Sequence, residues 1–219
     1  MSDLVIFGTG DFARIACRYF EADSDHDVVA FTVHERYIDE PMLLDREIVP
    51  FEQLSDRYPP GAVSMFVAIG FSQVNQVRAG MYAECKELGY ELVSYVSSKA
   101  SHLGDLDIGD NVFIFENNVI QPFVRIGDDT ILWSGNHIGH DVTIGSHVFM
   151  ASHAVVSGNT TIGDYCFVGV NATFRDGIVV APRCVIGASA IVMKKTGEGD
   201  VLAVPGTKPF PKKSWELDL

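Results

Sequence analysis

The chain has 219 residues, 47% of them hydrophobic and 21% charged, with a formal net charge of −13. That balance describes a soluble globular protein, and the surplus of acid argues against nucleic acid or an anionic membrane as its main partner. No apolar run reaches the length of a membrane span, and the opening MSDLVIFGTG is too polar and glycine-rich for a secretory signal, so a cytoplasmic location is expected.

In chain order, the first half alternates strand and helix. Leu4–Gly8 reads as a strand that runs through GTGDFARIACRYFEA into a helix, and Asp27–Val33 reads as a second strand. Met65–Gly70 is a third strand, followed by an amphipathic stretch from Ser72 to Leu88, and Glu91–Val96 (ELVSYV) is a fourth strand. Strands joined by crossover helices imply a small, Rossmann-like parallel α/β domain, expected over residues 1–98. Ligands of such sheets bind at the carboxyl ends of the strands. Gly8-Thr9-Gly10-Asp11-Phe12-Ala13 lies there, after a strand and opening a helix, where free N–H groups and the helix dipole suit a phosphate. A dinucleotide site also wants an acidic residue closing the second strand. This strand ends Thr32-Val33-His34, with Glu35 just beyond, which favours a nucleotide or nucleotide-sugar over NAD.

From residue 108 to 197 the chain repeats every six positions: IGDNVF, IFENNV, IQPFVR, IGDDTI, LWSGNH, IGHDVT, IGSHVF and onward to VMKKTG. Each block opens on an aliphatic residue, Met or Phe. A period of six belongs to neither a helix nor a simple strand and marks a solenoid. Three blocks make one three-sided coil, and residues eighteen apart stack as neighbouring strands do, ~4.8 Å apart. The second half, residues 99–219, is therefore expected to be a parallel β-helix. First and fifth positions point inward, and the fifth must be small. Asn118 and Asn136 break that rule one coil apart, so an internal ladder is expected in which each amide bonds the next. The open ends need covers: the α/β domain for one, the segment after Gly197 for the other. Cys17, Cys85, Cys166 and Cys184 show no CxxC spacing and read as packed, reduced thiols.

Four histidines fall close together, at His137, His140, His147 and His153, but the register sends them to different corners and faces. Within one subunit they do not converge on a metal, so no metal site is expected. Counting eighteen from His140 reaches Gly158, and from Asp141 reaches Asn159. A histidine followed by a carboxylate thus lies beside a glycine with a bare N–H: a base, its orienter and an oxyanion donor in one patch. Acyl transfer needs those three parts.

The repeat, GNHIGHDVTIG, the SGNTTIG that follows and the closing VPGTKP resemble the left-handed β-helix acyltransferases. With the added α/β domain the resemblance narrows to bacterial nucleotide-sugar N-acetyltransferases of the bacillosamine and perosamine type, related to sialic-acid O-acetyltransferases. That resemblance implies transfer from acetyl-CoA to the amine of a nucleotide-linked amino-deoxy sugar, in bacterial surface glycan biosynthesis, by a homotrimer that binds coenzyme A between subunits. It implies His140 as general base, Asp141 as its partner and Gly158 as the donor to the thioester carbonyl. It implies Gly8, Gly10, Ile69 and Gly70 in the nucleotide-sugar site. By their closeness to His140, Asn136 and His137 are expected either to contact the sugar or to bridge subunits. The locally basic end, with Lys194, Lys195, Lys208, Lys212 and Lys213, suits the phosphates of coenzyme A, and Lys195, Gly206 and Lys208 are its expected contacts there. Family members often carry a second histidine where this chain has Phe149. Alternatives within the fold are a sugar or sialic-acid O-acetyltransferase and a metal-dependent hydratase.

Overall fold

The computed structural model describes residues 2–218. The first half is a six-stranded sheet built from β1 (Ser2–Phe7), β2 (His26–Val33), β3 (Met42–Leu43), β4 (Arg46–Pro50), β5 (Ser64–Val67) and β6 (Glu91–Leu92), in the order β3-β4-β2-β1-β5-β6. All neighbours are parallel except β3 and β4, a short antiparallel pair at one edge that sequence reading did not foresee. Helices α1 (Asp11–Asp23), α2 (Leu54–Arg57) and α3 (Gln76–Glu87) complete the unit. Helix α1 follows β1 because Ala13, Ala16, Cys17 and Phe20 form one fully buried stripe.

The second half is a three-sided, left-handed parallel β-helix. Its faces are parallel sheets of seven, six and five two-residue strands. The pairing step is eighteen residues, as in Phe113 with Ile131, His137 with Val155 and Thr143 with Thr161. From Ile114 to Val192 every first-position residue is buried, and so is every fifth-position residue from Val112 to Ala190. The fourth position is the corner. From Asn111 to Ser189 its φ lies between 53° and 80° in every block, a left-handed conformation that Asn, Asp and Gly adopt most readily.

Four expectations need correction. Glu91–Val96 is not one strand: Glu91–Leu92 ends the first sheet, while Tyr95–Val96 pairs with Phe113–Ile114 as the first rung of the prism. The turn between them hands the chain from one sheet to the other. The asparagine ladder exists, but its amides bond backbone rather than each other. Asn118 Oδ1 accepts from Asn136 N (3.3 Å), and Asn136 Oδ1 accepts from Ala154 N (2.7 Å). The α/β unit lies along one face of the prism rather than over its open end. The outward sixth position on that face carries Phe113, Ile131, Phe149 and Phe167, while the other faces carry residues such as Arg125, His137, Thr143 and Thr161 there. Phe113, Ile131 and Phe149 enter one core with Leu4, Ile6, Phe20 and Phe66. At the far end, Val201–Leu202 adds a last rung against Val185–Ile186, and residues 203–218 are exposed.

Candidate active site

His140 and Asp141 occupy the third and fourth positions of one corner. The left-handed turn at Asp141 (φ 55°) returns its carboxylate to the imidazole, with Nδ1 and Oδ2 2.9 Å apart. A carboxylate only accepts, so Nδ1 carries the proton and donates it, and Nε2 is left with a free lone pair. Gln121 Oε1 accepts from His140 N (2.9 Å) and anchors the corner from the coil before. Both side chains are about half exposed (53% and 51%), open to a reactant.

One coil on, Gly158 lies against that imidazole. A Cβ built on Gly158 would stand 2.7 Å from His140 Nε2, closer than atoms tolerate, so this approach requires glycine. Asn159 N donates to His140 O (2.9 Å), which fixes the stacking of the two coils. At another corner, outward third-position amides are capped by side chains from the next coil: Asp110 N by Asp128, Asp128 N by Ser146 and Ser146 N by Asp164. Gly158 N has no such cap, and it donates no hydrogen bond among the described residues. The corner therefore joins an acceptor nitrogen, its orienting carboxylate and an uncommitted N–H.

Gly8, Gly10, Ile69 and Gly70 line a single cleft of about 540 Å³ at the carboxyl ends of β1 and β5. Gly8 is required there: its φ is +124°, and a Cβ would fall 2.9 Å from the Ala68 carbonyl oxygen. Gly10 has nothing within 4 Å of its Cβ direction, so packing leaves that side open. Beyond the second strand His34, Arg36 and Tyr37 reach the cleft, while Glu35 is not among its lining residues. A cation at this rim suits a phosphate-bearing ligand better than a dinucleotide ribose.

Other expected site residues fare differently. Asn136 is sealed inside the prism, with its amide taken up by Trp133 O and Ala154 N, so it has no access to a sugar. His137 is half-buried on an outer face, between Val119 and Val155. Lys195, in the last block of the repeat, and Gly206 and Lys208, beyond it, are exposed, and none bonds to the His140 corner among the described residues. Phe149 is buried, in edge contact with Phe71 and stacked on Phe167. Among the described residues, no three His, Cys, Asp or Glu side chains are grouped as metal ligands.

Sequence reading missed a buried polar cluster at the junction of the two units. Arg78 and Asp129 are both 0% exposed, with Nε 3.1 Å from Oδ1. Asn111 Nδ2 donates to Asp129 Oδ1 (2.8 Å), and His147 Nδ1 bonds Oδ2 (2.8 Å). Burial pulls Arg78 below the usual guanidinium range, and the Asp129 carboxylate opposes that. Asn111, Asp129 and His147 are fourth-position residues one coil apart, so the eighteen-residue register would have aligned them. Nothing in an amphipathic helix marked Arg78 as their partner.

The family model for bacterial transferase hexapeptide (six repeats) matches residues 107–139 and 123–158. Among curated proteins, none matches this chain. The acetyltransferase domain of PglB from Neisseria gonorrhoeae FA1090 has the same fold: TM-score 0.83 at 20% identity, covering 96% of this chain and 100% of that one. PerB from Caulobacter crescentus, whose structure holds CoA and GDP-perosamine, aligns with TM-score 0.81 at 21% identity over 93% of this chain and 95% of its own. WeeI from Acinetobacter baumannii AYE aligns with TM-score 0.66 at 17% identity over 89% of this chain and 96% of its own.

Proposed function

We propose that this protein transfers an acyl group from acyl-CoA to the amine of a nucleotide-linked amino sugar. The observation that carries the reading is the juxtaposition of His140 Nε2 with Gly158, one coil apart, with Asp141 on the far side of the ring. In this scheme the sugar amine attacks the thioester carbonyl while His140 Nε2 takes its proton. Asp141 holds the tautomer and stabilises the imidazolium, and Gly158 N–H holds the developing oxyanion. Collapse of the tetrahedral intermediate expels the CoA thiolate, which takes the proton from the His140 imidazolium and returns the ring to its neutral form. The cleft around Gly8, Gly10, Ile69 and Gly70 would hold the nucleotide. Two neighbours in fold support the choice: the PglB domain has a structure in complex with acetyl coenzyme A, and PerB one with CoA and GDP-perosamine.

Acetyl-CoA turnover measured side by side with UDP-, dTDP- and GDP-linked amino sugars, their hydroxy counterparts and free sialic acid tests this directly. Faster thioester loss with an amino acceptor is expected. Turnover only with hydroxy acceptors would make the protein an O-acyltransferase, and turnover with none would end the reading.

The assembly we propose is a trimer. Its support is an outer face of the prism, not the one the α/β unit covers, on which Val119, Val155 and Ile191 are 42%, 40% and 68% exposed. Light scattering is expected to give three times the 24.0 kDa chain mass, and a monomer at assay concentration would contradict it.

A further inference from the structure

We propose that Arg78 is a positioning residue that sets the nucleotide cleft in register with the turn of the prism carrying His140. The inference rests on the acyl-transfer reading for its kinetic consequence, though not for its structural one. Arg78 NH1 donates to Gly70 O (2.8 Å) and to Asn75 Oδ1 (3.3 Å), on the segment that leaves the cleft. Its NH2 donates to Asp129 O (3.0 Å) and Val148 O (3.2 Å). Asp129 opens one full turn of the prism and Val148 lies one residue past its end, with His140 and Asp141 on the turn between them. One guanidinium therefore holds the carbonyl of a cleft-lining residue and the backbone at both ends of the coil that bears the proposed base. Its planar fork of five donors is what permits this, and a lysine has neither the fork nor the number.

Three further observations place the load here. Asn75 Nδ2 donates to Cys166 O (3.0 Å) and Tyr165 O (3.3 Å), tying the segment to the next coil as well. Asn111 Oδ1 accepts from Val67 N (2.7 Å), at the end of β5. Between cleft and α3, Gln73, Val74 and Asn75 all have positive φ (51°, 52° and 67°). A left-handed conformation is unfavourable for an L-residue and least natural for a β-branched one such as Val74. Such a segment persists where its surroundings over-determine it. The buried Arg78–Asp129 pair and Asn75 supply that determination, just beyond Gly70, a residue that lines the cleft.

Removing Arg78 alone would strand the Asp129 charge in the interior, a change severe enough to threaten folding. The test therefore uses Arg78→Met combined with Asp129→Asn, which removes both charges together, with Arg78→Lys as the conservative comparison. In the double variant, amide hydrogen exchange is expected to accelerate at 68–75 and 137–142 and to stay unchanged in α1. Its kcat with a nucleotide-linked amino sugar is expected to fall about 10²-fold, the scale of a displacement near one ångström, while acetyl-CoA hydrolysis without acceptor holds. Arg78→Lys should fall between. A folded double variant with wild-type exchange in both segments and a wild-type ratio of transfer to hydrolysis would overturn the proposal. If the wild-type protein transfers to no acceptor, the functional reading fails, and the exchange data still decide the clamp.

Discussion

The imidazole of His140 takes its tautomer from a neighbour that the backbone had to bend to deliver. Asp141 sits at the corner position of its block, where the left-handed turn aims the carboxylate back along the chain. The proposed base and its carboxylate partner are thus a consequence of the same six-residue rule that builds the prism. Gly158 is the complement. Its missing Cβ is the space the imidazole occupies, so Gly158→Ala should displace the ring without harming the core, since the third position faces outward. The expected outcome is a loss of turnover on the order of 10²-fold with an unchanged melting temperature, read by acyl-transfer kinetics beside thermal denaturation. Normal kcat in a folded Gly158→Ala would mean the ring does not work against that glycine. Asn136 marks a limit of reading from proximity along the chain. It stands one residue from His137, yet its fifth position turns it inward and spends its amide on backbone.

At the level of elements, periodicity carries most of the architecture. Isoleucine and valine every six residues define the coil, and counting in steps of eighteen is enough to put Gly158 beside His140. The first coil stays hidden in the sequence because exposed His102 stands where an inward aliphatic residue belongs. The edge pair Met42–Leu43 with Arg46–Pro50 is too short to carry an alternating pattern, and ELVSYV reads as one strand because the handover at Val93–Ser94 breaks no hydrophobic run. The docking face is legible in principle: Phe113, Ile131, Phe149 and Phe167 recur at the outward sixth position every eighteen residues. Helix α1 is fastened to the first rung by its last residue. Asp23 Oδ2 accepts from Ser98 N (2.8 Å) and from the Tyr95 hydroxyl (2.7 Å). Those bonds, from Ser98 first and Tyr95 next, hold its carboxyl down at about 2. A carboxyl depressed in the folded state stabilises it fully above the unfolded value, and that contribution fades as pH drops through the folded one. Asp23→Asn should therefore lower the denaturant midpoint at pH 7, and the gap from wild type should close between about pH 4 and pH 2. A gap constant across that range would show that Asp23 does not act through its charge.

Taken whole, the molecule joins two different surfaces with one core. The cluster that includes Leu4, Phe20 and Phe66 from the α/β unit also includes Tyr95, Phe113, Phe115, Ile131 and Phe149 from the prism. A shared apolar core and a buried ion pair at one seam make relative motion of the units costly, in contrast to domains joined by a polar interface. That rigidity suits a division of labour in which one unit holds a nucleotide and the other presents a base to what the nucleotide carries. The claim at the centre of this account is that His140 removes a proton during acyl transfer. The most direct test is kcat of His140→Asn for acetyl transfer to the best nucleotide-linked amino sugar, with nucleotide binding measured on the same sample. We expect a loss of at least about 10²-fold in kcat with binding preserved; a folded variant that turns over at the wild-type rate would contradict it.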